Sequence, residues 1–123
     1  MLNIGEQAPA FSLENQNGET TTLEHFKGKK VLVWFYPKAS TPGWTVQGQG
    51  LRDEFQKFQD NNVEILGVSA DSVKAQKSFC DKHRFPFLLL SDPSKESIKA
   101  YGAWDQKNLW EENMKVYIAI LTL

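Results

Sequence analysis

Residues 31–51 read Val31-Leu32-Val33-Trp34-Phe35-Tyr36-Pro37-Lys38-Ala39-Ser40-Thr41-Pro42-Gly43-Trp44-Thr45-Val46-Gln47-Gly48-Gln49-Gly50-Leu51. Val31 to Tyr36 is an unbroken β-branched and aromatic run, the pattern of a strand buried on both faces. Pro37 ends it. Thr41 suits a helix cap and Pro42 a first helical position. The helix is expected to continue through Leu51, Phe55 and Phe58, spaced along one apolar face. A strand that feeds a helix N-terminus across a short loop presents unpaired backbone N–H groups and favours negative charge. Trp44 stands at that point, and an indole has no ionisable group and only an N–H donor.

The flanking sequence extends the same unit. Asp60-Asn61-Asn62 stops the helix, and Val63 to Ser69 is a second buried strand. A β-helix-β unit over 31–69 requires parallel pairing and a right-handed crossover. Asp71 or Ser72 is expected to cap the next helix, with Val73, Gln76, Phe79, Cys80 and His83 on one side. Phe87 to Ser91 reads as a third strand. Asp92-Pro93 reads as an N-cap with proline at N1, opening a short helix that closes at Tyr101-Gly102. Upstream, Asn17-Gly18 between two extended segments predicts a β-hairpin, with Phe26 packing it onto the body. Lys27-Gly28-Lys29-Lys30 reads as a solvated basic turn rather than an anion site. Val116 to Leu123 is an almost wholly apolar strand. The expectation is therefore a single α/β domain over residues 1–123.

Composition narrows the function classes. A net charge of −1 without a basic tract argues against nucleic acid as a partner. No apolar run approaches a membrane span, and no secretory signal is visible, so a cytoplasmic setting is the expectation. The single cysteine, Cys80, excludes an internal disulfide and a multi-cysteine metal site. His25 and His83 are far apart in sequence and make a weak case for a metal. No cofactor is expected.

Taken together, several motifs resemble the peroxiredoxins of the bacterioferritin comigratory protein (peroxiredoxin Q) subfamily. They are Ala8-Pro9-x-Phe11-x-Leu13, Phe35-Tyr36-Pro37-Lys38, Pro37-x-x-x-Thr41, Gly50-Leu51-Arg52-Asp53, Phe85-Pro86-Phe87, Leu90-Ser91-Asp92 and Tyr101-Gly102-Ala103-Trp104. The resemblance runs from about Gly5 to about Trp104. It implies a thioredoxin-like fold, a hydroperoxide substrate and a thioredoxin-like reductant. It also implies that Pro37 and Thr41 shape the site, that the peroxide-attacking cysteine belongs at position 44, and that a resolving cysteine belongs at position 49. This chain has Trp44 and Gln49 there. The supporting arginine of the family falls near Ala119, and no arginine follows Arg84. The family continues past this region with a turn, a strand and a long closing helix, which this chain is expected to lack.

Two functional readings follow. One is a peroxiredoxin scaffold without its thiol chemistry, since peroxide reduction needs a thiolate. The other is a binding module that presents Trp44 and Gln49, with Trp110 as a further contact, to a protein or ligand. Gly48, one turn beyond Trp44, is expected to make room for the indole of Trp44. Cys80 reads as a small buried hydrophobe, with a Cys80–His83 pair as the minor alternative. The apolar Val116–Leu123 strand is expected to drive self-association.

Overall fold

A computed structural model describes residues 10–36, 42–100 and 117–122, with the backbone alone for 42–44 and 117–122. Residues 1–9, 37–41, 101–116 and Leu123 lie outside the described residues, and so does the expected helix end at Tyr101-Gly102.

The hairpin is formed by β1 (Ser12–Glu14) and β2 (Thr20–Thr22), paired antiparallel. Gly18 takes a φ of +77°, which the turn requires and glycine adopts without cost. Asn15 fastens the turn from inside, its side-chain oxygen accepting from the N–H groups of Asn17 and Glu19. A 3-10 turn (Leu23–Phe26) follows and buries Phe26, as expected. The basic turn after it is solvated, and Lys29 pairs with Glu64 at 3.1 Å on the surface.

Then come β3 (Lys30–Phe35), α1 (Pro42–Asp53), α2 (Phe55–Asp60), β4 (Val63–Ser69), α3 (Val73–His83), β5 (Leu88–Ser91), α4 (Glu96–Ala100) and β6 (Tyr117–Thr122). The six strands form one mixed sheet in the order β2-β1-β5-β4-β3-β6. The three central strands, β5, β4 and β3, are parallel. β1 runs antiparallel to β5, and β6 runs antiparallel to β3. This is the α/β fold expected from the sequence, with the β-helix-β unit at its centre.

Two elements differ from the sequence reading. The expected continuous helix breaks at Glu54, whose ψ of 6° tips the chain out of helical geometry. Leu51 and Phe55 still pack on the sheet from either side of the break, and Phe58 follows. Nor does α4 begin at Pro93. Asp92 is buried and caps at longer range, accepting from the Ile98 N–H at 2.9 Å and the Ser94 hydroxyl at 3.3 Å. Lys95 takes a φ of +63° between them, so residues 93–95 form a turn and the helix starts at Glu96.

Strand alternation divides the core. Val31, Val33 and Phe35 point to one face, where they meet Phe26, Leu66, Val68, Leu90 and Ile98. Leu32, Trp34 and Tyr36 point to the other, where they meet Ile65, Phe79, Phe85, Phe87 and Leu89 under α1, α2 and α3. That second face carries the site.

Candidate functional site at the β3–α1 junction

β3 delivers Tyr36, fully buried, to the carboxyl edge of the parallel strands. Its backbone N–H donates to the Val68 carbonyl at 3.1 Å, which continues the β3–β4 pairing past the end of β3. α1 starts at Pro42, so the backbone of Trp44 lies in its first turn, where unpaired N–H groups and the helix dipole concentrate. Pro37, Thr41 and the side chain of Trp44 lie outside the described residues.

Gln49 is half-buried and faces α3. Its amide nitrogen lies 3.5 Å from Nδ1 of His83, and Arg52 donates to the His83 carbonyl at 2.9 Å. The second contact satisfies a carbonyl left open at the end of α3. The His83 ring stacks on Phe85 and meets the edge of Phe79. Partial burial, followed by Lys82 and Arg52, holds its pKa below the ordinary histidine value. Position 49 therefore helps join α1 to α3, through an amide that cannot carry out thiol chemistry.

The room at Gly48 is shared by described neighbours, while the side chain of Trp44, for which it was expected, lies outside the described residues. A Cβ there would lie 2.7 Å from Cζ of Phe85 and 2.9 Å from Cη2 of Trp34. The Trp34 indole, fully buried, fills this space and donates to Oε1 of Gln47 at 3.1 Å. On its other side it pairs across the sheet with Gly67, where a Cβ would lie 3.3 Å from Trp34 and 2.6 Å from Leu89. Trp34 thus fits because two glycines leave space for it. Among the described residues, the indole beside Gly48 is that of Trp34.

The same region holds a buried polar chain that motif reading did not single out. Gln76 of α3 is fully buried. It accepts from the Tyr36 hydroxyl and donates to Ser69 Oγ at 2.9 Å and to the Leu90 carbonyl at 2.8 Å. Ser69 in turn donates to the Asp71 carboxylate at 2.7 Å. Burial pushes the Tyr36 hydroxyl far above its ordinary range, so it remains a proton donor throughout the working pH range. One sign was available in the sequence: glutamine sits where the helical period of α3 demands an apolar residue.

Cys80 is buried on α3. Its thiol donates to the Phe85 carbonyl at 3.3 Å, and the Gln16 amide approaches Sγ at 3.5 Å. Burial raises its pKa, which opposes thiolate formation. The partners described for Cys80 are Phe85 and Gln16, and those described for His83 are aromatic rings, Gln49 and Arg52. The geometry thus favours the buried-hydrophobe reading over a Cys80–His83 pair. Among the described residues there is no group of three or more His, Cys, Asp or Glu side chains able to hold a metal, and no helix is long and apolar enough to cross a membrane.

The AhpC/TSA family model matches residues 4–120, nearly the whole chain. The chain belongs to this peroxiredoxin family. Within it, the chain is 43% identical over 107 residues to Peroxiredoxin Bcp of Escherichia coli, covering 87% of this chain and 69% of that protein. It is 48% identical over 103 residues to Peroxiredoxin bcp1 of Schizosaccharomyces pombe, covering 83% of this chain and 53% of that protein. Among solved structures, a mutant of Xanthomonas campestris Peroxiredoxin Q superposes with a TM-score of 0.77 at 35% identity, covering 88% of this chain and 66% of that one. These relatives place the chain in the Bcp and peroxiredoxin Q branch, with the thioredoxin-like peroxiredoxin fold. The chain spans about two thirds of the length of the bacterial relatives it matches and about half that of the yeast one.

Proposed function

We propose that this chain keeps the frame of a hydroperoxide-reducing peroxiredoxin but, with Trp44 in place of the attacking cysteine, does not itself reduce peroxide. The observation that carries this is chemical. Residue 44 stands in the first turn of α1, where a helix N-terminus would stabilise a thiolate, and tryptophan supplies no nucleophile. The catalytic positions in this reading are Trp44 and Gln49 for the two thiols, with Pro37 and Thr41 shaping the loop. The substrate class comes from the relatives. The E. coli protein is called a peroxiredoxin, and a Xanthomonas structure is described in terms of alkyl peroxide reduction. The matching reductant is a thioredoxin-like dithiol.

The test is peroxide consumption with a dithiol reductant, comparing this chain with its Trp44→Cys variant. A silent parent and an active variant support the reading. Turnover by the parent sinks it and makes Cys80 the residue to replace. Two Xanthomonas structures are cysteine-to-serine mutants at positions separated by the same interval as Trp44 and Cys80. That interval offers Cys80 as an alternative to position 49 for the resolving thiol. If so, adding Cys80→Ser to Trp44→Cys blocks thioredoxin-linked turnover while leaving the first, single-turnover oxidation intact.

A second reading, a binding surface at Trp44 and Gln49, gains support from Val46. It is the one large apolar side chain that is strongly exposed among the described residues, and it lies on α1 between those two positions. A protein partner there is expected to change tryptophan fluorescence on binding, and Trp44→Ala is expected to weaken the binding.

A further inference from the structure

We propose that Gln76 is a positioning residue for the α1 N-terminus, acting through the Tyr36 and Trp34 side chains rather than by touching the reacting centre. Gln76 is on α3, yet its amide bonds reach the ends of all three central strands. They go to the Tyr36 hydroxyl just past β3, to Ser69 on β4 and to the Leu90 carbonyl on β5. The amide uses both faces of its hydrogen-bonding capacity and has no solvent to fall back on. This fixes the Tyr36 ring. Tyr36 stacks on Trp34 with ring centroids 4.3 Å apart and planes inclined by 29°. Trp34 in turn donates to Gln47 and lies under Gly48, both on α1 one turn beyond position 44. The path is continuous from Gln76 to Tyr36, to Trp34, to Gln47. It crosses from α3 to α1 by way of the end of β3.

The chain of contacts explains an otherwise costly choice. A buried glutamine gives up water on both polar atoms and adds little net stability over a well-packed apolar residue. What an amide adds, and leucine does not, is one defined orientation of Tyr36. Phe79 and Gly67 complete that ring's seat, with Phe79 at a centroid distance of 5.7 Å and a Cβ at 67 reaching within 3.1 Å of it. A purely structural role would confine the effect of losing Gln76 to the residues it bonds. A positioning role carries the effect to α1, to which the side chain makes none of these bonds.

The experiment is site-resolved amide hydrogen exchange on Gln76→Leu, with Tyr36→Phe as the milder variant should the first fold poorly. The expected result is α1 exchange over residues 45–53 accelerated by about tenfold in Gln76→Leu and less in Tyr36→Phe, with the β1–β2 hairpin and α4 unchanged. Exchange that rises equally in α1, hairpin and α4, or that leaves α1 unchanged, overturns the proposal. A second readout rests on the peroxiredoxin reading. In the Trp44→Cys background, Gln76→Leu is expected to move the pH midpoint of thiol alkylation upward. An unmoved midpoint counts against positioning, even where the variant melts earlier. Failure of Trp44→Cys to reduce peroxide would count against the peroxidase reading alone, because the exchange experiment needs no thiol at position 44.

Discussion

Gly48 shows how a single missing methyl group can decide the packing of a helix on a sheet. Alanine is the better helix former by about 1 kcal/mol. Here, however, its Cβ would run into two buried rings, Phe85 and Trp34, at under 3 Å. Overpacking of this kind costs about 1–3 kcal/mol, so Gly48→Ala is expected to lower stability despite its propensity. Urea unfolding of Gly48→Ala, Trp34→Phe and the pair is the check. The double variant is expected to lose less than the sum of the singles, because the smaller ring at 34 removes one of the two close approaches and leaves only that to Phe85. The sequence shows that position 48 needs room, but not that Trp34 and Phe85 share it. Helical spacing exposes only neighbours on the same helix, such as Trp44, whereas Trp34 arrives from a strand. His83 offers a second test at this scale. Its folded-state pKa is depressed, so its neutral form stabilises the fold above the ordinary histidine value near 6.5. That contribution is lost as pH falls through the depressed folded value. Chemical denaturation from pH 8 down to pH 5 is expected to show a loss of stability that is smaller in His83→Gln.

At the scale of elements, the central strands and α3 were legible because several signals agreed. β4 spans Val63–Ser69, as its apolar run indicates, and Ser72 caps α3 by accepting from the Ala75 N–H at 3.2 Å. The start of α4 was less legible. An aspartate followed by proline is a sound helix-start signal. Asp92 instead places its carboxylate across a turn to reach Ile98, a contact over six residues that no local pattern encodes. Its partners are a backbone N–H inside a five-residue helix and the Ser94 hydroxyl. Asp92→Ala would leave that buried N–H without an acceptor, at a cost of about 1.5–3 kcal/mol for a bond to a charged group. Thermal unfolding is expected to show this loss. Asp92→Asn, which keeps an acceptor oxygen, is expected to recover part of it. The break at Glu54 was also hidden, since the apolar spacing of Leu51, Phe55 and Phe58 reads smoothly through it.

For the whole molecule, the thioredoxin-like fold was legible from the β-helix-β unit and the resemblance together. What the sequence could not supply was lateral order, because strand order is set by long-range packing. β6 completes the sheet beside β3, with Ala119 opposite Val33, while β2 closes the other end. Each edge strand leaves one row of backbone N–H and C=O groups without a strand partner among the described residues. The two ends are unlike. The β2 end is short and carries Thr20-Thr21-Thr22, a poor template for pairing. β6 is twice as long, and its sequence Tyr117-Ile118-Ala119-Ile120-Leu121-Thr122 has no charge and no proline, which is the composition of a strand that recruits another. The expected partner is a second β6, because identical strands can pair antiparallel about a two-fold axis and close the assembly as a dimer. Light scattering over a concentration series is expected to show mass rising with concentration, and Ala119→Lys is expected to shift the equilibrium toward monomer. A monodisperse monomer at high concentration would sink this idea. It would mean that the free edge of β6 is protected within its own chain, leaving the Val46 side of α1 as the surface on which to look for a partner.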